Sequence, residues 1–175
     1  MRKIVLTYGI LAGLIIALLM VVSFSLSLTT EGGSGAVVLG YATMIVALSM
    51  IFFGIRSYRE NIGGGSVTFS RAFLVGFSIT LIASVLYVVS WKIYSSIAIP
   101  DFADHYAKLM VENLKKTGAS DAAILAKTKE MADWKQMYSN PVYELGMTYL
   151  EIFPVGVLIS LICALILKRK PKPIA

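Results

Sequence analysis

The chain alternates long uncharged apolar runs with short polar connections, a pattern that predicts helices crossing a bilayer. A hydrocarbon core about 30 Å thick needs roughly 20 mostly apolar residues in helical form. Four stretches meet that need: 4–28 and 36–55 carry no charge, 72–99 carries Lys92 alone, and 142–167 carries Glu144 and Glu151. The first run exceeds the roughly 7–15 residues of a signal-peptide core and lacks a small-residue cleavage pattern, so it is expected to be a retained helix.

The connections differ in kind. Residues 29–35, TTEGGSG, are expected to turn tightly between antiparallel neighbours. Residues 56–71 carry Arg56, Arg59 and Arg71 around Gly63-Gly64-Gly65, and the tail KRKPKPIA from Lys168 is basic and broken by proline. Only 100–140 has a water-soluble pattern. Phe102, Tyr106, Leu109, Met110 and Leu114 recur at the spacing of one helix face. Gly118 is expected to stop that helix and Ser120 to cap a second one over 121–138, with Ile124, Leu125, Met131, Trp134 and Tyr138 towards one side. Asn140 and Pro141 then open the last span. The expected fold is all-α: one polytopic membrane domain of four transmembrane helices, with a two-helix hairpin between spans three and four. The hairpin has two readings, a cap on the bundle or a docking module for a partner.

Composition sharpens this picture. Apolar residues make up 57% of the 175 and charged residues 15%, against about 25% charge in a soluble domain, which excludes an ordinary soluble enzyme. One cysteine and one histidine exclude an intramolecular disulfide and the usual Cys/His zinc site, and no cofactor is expected. Cys163 is expected to act as a small apolar residue, and His105, beside Asp104, as a solvated or capping one. The Gly63-Gly64-Gly65 run lacks the pattern of a phosphate-binding P-loop and follows no strand.

The formal charge of +6 would suggest nucleic acid only if the basic residues formed one patch on a soluble fold. They are distributed differently. Nine of them (Arg2, Lys3, Arg56, Arg59, Arg71, Lys168, Arg169, Lys170 and Lys172) flank one side of the spans against the single acid Glu60, whereas the six lysines of 100–140 meet six acids. Because flanking Lys and Arg stay in the cytoplasm, both termini are expected there and the hairpin on the other face. Arg56, Arg59 and Arg71 are then placed to meet anionic lipid headgroups.

Charges inside the spans carry the candidate chemistry, because each costs about 2.5–3.5 kcal/mol at the bilayer centre on insertion scales. Glu144 lies in the first turn of span four, near the positive end of the helix dipole. Glu151 lies two turns deeper, roughly 15 Å from Pro141 at 1.5 Å per residue, with Thr148 between them and Pro154 just beyond. Lys92 falls at an intermediate depth in span three. One reading pairs Lys92 with one glutamate and fixes the register of the two spans. The other makes Glu151 a proton-carrying or cation-coordinating carboxylate beside a proline kink, as in transporters. Small residues also recur every four positions: Gly9, Gly13 and Ala17; Gly76, Thr80 and Ser84; Gly156, Ser160 and Ala164. Such stripes let helices approach closely, and packing within the bundle is preferred over a homodimer face.

Several stretches together, MRKIVLTYGILAG, YATMIVALSMIFFGIRSYR from Tyr41, GGSVTFSRAF from Gly64 and YLEIFPVG from Tyr149, resemble the domain-of-unknown-function 4199 family of bacterial integral membrane proteins. The resemblance covers nearly the whole chain and implies a four-span protein of the bacterial inner membrane. It brings no activity or catalytic residue, but it places Arg56, Arg59, Glu151 and Pro154 inside the shared motifs. The expected function is structural or interactive, without enzyme activity. The lipid bilayer and either a second copy or another membrane protein are the expected partners. The alternative is a small transporter or ion-coupled subunit using Glu151 and Lys92.

Overall fold

The computed structural model describes residues 1–29 and 34–170. The expected turn at 29–35 lies largely outside the described residues, as do Lys172 and the end of the basic tail. Among the described residues seven helices follow in order: α1 (Arg2–Thr29), α2 (Ser34–Leu48), α3 (Met50–Asn61), α4 (Phe69–Ala98), α5 (Phe102–Lys116), α6 (Asp121–Tyr138) and α7 (Pro141–Leu167). Four helical stretches, Arg2–Phe24, Val38–Asn61, Phe69–Ala98 and Pro141–Leu167, are long and apolar enough to cross a membrane.

The second of these is formed by α2 and α3 with a tightened turn between them. The Ser49 amide donates to the carbonyls of Ile45 at 3.0 Å and Val46 at 3.3 Å, and the Phe52 amide reaches back only three residues to the Ser49 carbonyl. The Ser49 hydroxyl donates to the Val46 carbonyl at 2.6 Å. A serine bonding its own preceding turn competes with the regular ladder and tightens it locally. The span also continues to Asn61 rather than ending at residue 55, which shortens the expected 56–71 connection.

α4 is the central element and packs against α1, α3 and α7, while α7 also touches α2, α3 and α6. The interfaces are made by the small-residue stripes. A Cβ on Gly9 or Gly13 of α1 would lie 2.8 Å from Ile82 Cβ or 2.7 Å from Leu86 Cβ of α4. On the opposite side of α4, a Cβ on Gly156 of α7 would lie 2.4 Å from Thr80 Cγ2. With lipid tails as apolar as the side chains, such close packing and interhelical hydrogen bonds take over from the hydrophobic effect. One such bond joins α4 to α7, Thr80 Oγ1 to Ser160 Oγ at 3.1 Å. Large apolar side chains such as Leu14, Leu18, Leu150, Leu158 and Ile166 are exposed around the outside, an arrangement suited to lipid and hostile to water.

One turn along α4 from Thr80, Ser84 is fully buried and its hydroxyl makes no hydrogen bond among the described residues. A buried unsatisfied hydroxyl is costly, whereas a satisfied one contributes about 1 kcal/mol. Ser84→Ala is therefore expected to leave the melting temperature unchanged or raise it, and Thr80→Val to lower it by an amount corresponding to about 1 kcal/mol. Thermal unfolding in mild detergent reads both.

α5 and α6 pack against each other around a turn in which Gly118 adopts φ +73° and the Ser120 hydroxyl accepts from the Ala123 amide. Leu125 departs from the expected apolar side of α6: it is 73% exposed, while Met131 is buried. Aromatic rings join these helices to the bundle, Phe102 meeting Trp91 edge-on at 4.8 Å and Phe24 lying 5.0 Å from Trp91.

Candidate functional site

Two of the three charges predicted to sit within the spans, Lys92 and Glu144, meet at the hairpin end, where α4 ends and α7 begins beside α5 and α6. The Asn140 side chain accepts from the Val142 amide at 2.9 Å, and Pro141 supplies the pre-set φ of a first helical residue. Helix α7 thereby starts at a fixed height, and Glu144 falls in its first turn. The carboxylate meets the positive helix end and also Lys92, Nζ lying 2.6 Å from Oε2. Glu144 is buried, its side chain 8% exposed, and that of Lys92 is 47% exposed. The ion pair thus forms the wall of a cavity of about 290 Å³, lined among others by Ser95, Asp101, Asp104, Lys135 and Tyr138. A second pair, Lys135 with Asp104, bridges α6 and α5 on the same cavity.

Tyr138 closes its side towards the bundle, accepting a hydrogen bond from Trp91 Nε1 at 3.0 Å. Burial pushes the Tyr138 hydroxyl up to about 12, the Glu144 and Glu151 carboxylates adding to the rise and the Trp91 donor opposing it. Because an acid with a raised folded-state pKa resists ionisation only when folded, its contribution is constant below the unfolded value near 10 and is lost as pH climbs from there to about 12. Alkaline titration followed by Trp fluorescence should therefore show the docking of α6 loosening above pH 10. Tyr138→Phe should remove that transition.

Glu151 is not part of this cluster. Of the two glutamates offered to Lys92, Glu144 is the one it engages, and Glu151 accepts from the Tyr87 hydroxyl at 3.3 Å. Tyr87 is buried, whereas Glu151 lies on the exposed side of α7. Thr148 is buried and donates to the Glu144 carbonyl at 2.8 Å. Pro154 lies within a helix that continues to Leu167, and it leaves the carbonyl four residues back, that of Leu150, without its helical donor.

The three arginines at the other end of the bundle have different surroundings. Arg56 Nε lies 3.0 Å from Glu60 Oε1. Arg59, its side chain only 19% exposed, approaches Glu60 at 3.4 Å and donates to the Leu167 carbonyl at 3.5 Å. Of the three, Arg71 alone makes no side-chain ion pair among the described residues. Gly76 lies against Ser160, a Cβ there falling 3.0 Å from Ser160 Cβ, so Gly156 and Ser160 face α4 as Gly9 and Gly13 do.

Sequence reasoning did not single out Tyr87 or Trp91 as partners, and it gave Tyr138 only a place on the apolar side of the second hairpin helix. A signal was available for the first two. The stripe Gly76, Thr80 and Ser84 continues along the same face through Tyr87, Trp91 and Ser95, all of them buried, and polar groups at helical spacing on a buried face seek partners.

Residues 7–169 match the model of a family described as a protein of unknown function, DUF4199. No curated protein matches the chain, and no solved structure does.

Proposed function

This chain belongs to the DUF4199 family of proteins of unknown function, and from that premise we propose that it is an interaction component of a membrane, holding a helix of another membrane protein against α7. The observation that carries the reading is Glu151: an ionisable side chain on the exposed flank of a span, bonded to a tyrosine hydroxyl and in no ion pair among the described residues. At roughly 15 Å from the start of α7, such a group facing lipid costs a few kcal/mol. A partner helix bearing a basic or hydrogen-bond-donating residue at that depth removes the cost and gains specificity.

A photo-crosslinking amino acid at the exposed neighbour Leu150 tests this in native membranes. The expected result is one discrete heteromeric product, lost in Glu151→Leu while the variant stays folded. A product formed only with a second copy would replace the partner by self-association, and an adduct pattern indifferent to Glu151 would sink the reading.

The proposed setting is the inner membrane of a bacterium, with both termini cytoplasmic and α5 and α6 outside, supported by the basic residues gathered at the opposite end of the bundle. A cysteine at Lys115, in a chain with Cys163→Ala, should then react with an impermeant maleimide added from outside. The proposed role is not enzymatic: Cys163 is buried in α7 and His105 exposed on α5, so the two do not form a nucleophile and base. The transport reading rests on Glu151 and the Pro154 disruption beside it, and a Glu151-dependent cation flux in proteoliposomes would favour it.

A further inference from the structure

At the end of the bundle away from α5 and α6, two distant parts of the chain are clasped together. The Val67 amide donates to the Arg169 carbonyl at 3.0 Å, and the Arg169 amide to the Val67 carbonyl at 2.8 Å. The turn before Val67 is held by glycine: Gly64 and Gly65 have φ +58° and +85°, and a Cβ on Gly63 would lie 2.0 Å from the Ser66 carbonyl oxygen. Between turn and clasp lies a cavity of about 200 Å³ lined by Tyr58, Ser66, Val67, Thr68, Arg71 and Arg169.

The charge in that lining is uncompensated among the described residues. It holds two guanidiniums and no carboxylate, and neither Arg71 nor Arg169 makes a side-chain ion pair or hydrogen bond among the described residues. The one acid nearby in sequence, Glu60, is already shared by Arg56 and Arg59. The first turn of the thirty-residue α4, capped by the Thr68 hydroxyl accepting from the Arg71 amide, adds the positive end of a long helix dipole. Planar guanidiniums favour bidentate pairing with phosphate or carboxylate oxygens. The volume lies below the roughly 300–1,000 Å³ of drug-sized ligand pockets, which suits a phosphate group and its first ester carbons rather than a whole cofactor.

We propose that Arg71 and Arg169, clasped by the Val67 to Arg169 bridge, form a binding site for a phosphate ester. The site is distinct from the Glu151 face and does not rest on it. The phosphate has two sources, the headgroup of an anionic phospholipid or a free phosphoryl group, and one experiment separates them. The full chain is purified in detergent and exposed to phosphatidylglycerol, phosphatidylcholine or inorganic phosphate, with retained lipid counted by native mass spectrometry and unfolding followed thermally.

Retention of phosphatidylglycerol at least about tenfold over phosphatidylcholine, weakened about tenfold by Arg71→Gln or Arg169→Gln, supports the site with a lipid occupant. Stabilisation by inorganic phosphate with the same arginine dependence, and no lipid preference, supports it with a free phosphoryl group. Arg56→Gln, at a paired arginine of the same end, should change neither. No binding by either source, or binding indifferent to Arg71 and Arg169 in variants whose melting in phosphatidylcholine is unaltered, overturns the proposal.

Discussion

Gly156→Leu should leave little folded protein in mild detergent, with a loss of at least about 3 kcal/mol, the upper part of the range for overpacking a tight core. The Cβ alone would come within 2.4 Å of Thr80 Cγ2 and 2.9 Å of Thr80 Oγ1. Thr80 cannot yield, being β-branched, fully buried and hydrogen-bonded across to Ser160. The added side chain must therefore push α7 off α4 and break the interface on which the rest of the bundle is built. Gly146, ten residues earlier in the same helix, has nothing within 4 Å of its would-be Cβ. Gly146→Leu should accordingly cost under about 1 kcal/mol and, by improving helix propensity, can stabilise. Size-exclusion chromatography after a heating series separates the two variants. Equal tolerance at both positions would show that α4 and α7 do not meet through the stripe.

Removing Lys92 should be the costliest loss of charge. Lys92→Met leaves the buried Glu144 carboxylate without its cation, and breaking a fully buried pair in this way costs about 3–5 kcal/mol. Because the Lys92 side chain is 47% exposed, solvent screening lowers the expectation to about 1–3 kcal/mol. Glu144→Gln alone should cost less, since an amide needs no counter-charge. The double variant should be no worse than Lys92→Met, giving a coupling of about 1–2 kcal/mol in a double-mutant cycle. Additive losses would mean that the two side chains do not act as a pair.

The number of spans and the hairpin helices were legible because each depends on local pattern, uncharged length for the spans and a period near 3.6 with caps for α5 and α6. Choices that depend on how two helices are set against each other were not. Glu144 and Glu151 are seven residues apart and share nearly the same face of α7, so Lys92 had two candidate partners. Helix height decided between them: seven residues are about 10 Å of rise, more than a lysine spans while holding a 2.6 Å contact.

The same rotational drift, about 20° over seven residues, accompanies a buried Glu144 and a Glu151 on the open flank. The surroundings of Arg59 were hidden for a different reason. Its charge marked the end of an apolar run, yet α3 continues past it to Asn61, carrying the guanidinium inward against the Leu167 carbonyl. Nothing local marked Ser49 either, because a serine between Leu48 and Met50 is ordinary in an apolar helix until its hydroxyl is seen to bond the preceding turn.

The order in which the helices leave the ribosome gives the α4 and α7 interface a temporal side. α1 to α4 precede α7 in the chain, so the groove of Gly76, Thr80 and Ser84 has no occupant until α7 follows, after both hairpin helices have been synthesised. Throughout that interval the two hydroxyls of this groove, on Thr80 and Ser84, face lipid or the insertion machinery, and the loop at 62–68 waits for its clasp at Arg169. A chain that stops short of Gly156 is therefore left with an open polar seam, the kind of defect by which membrane quality control can tell an unfinished product from a finished one.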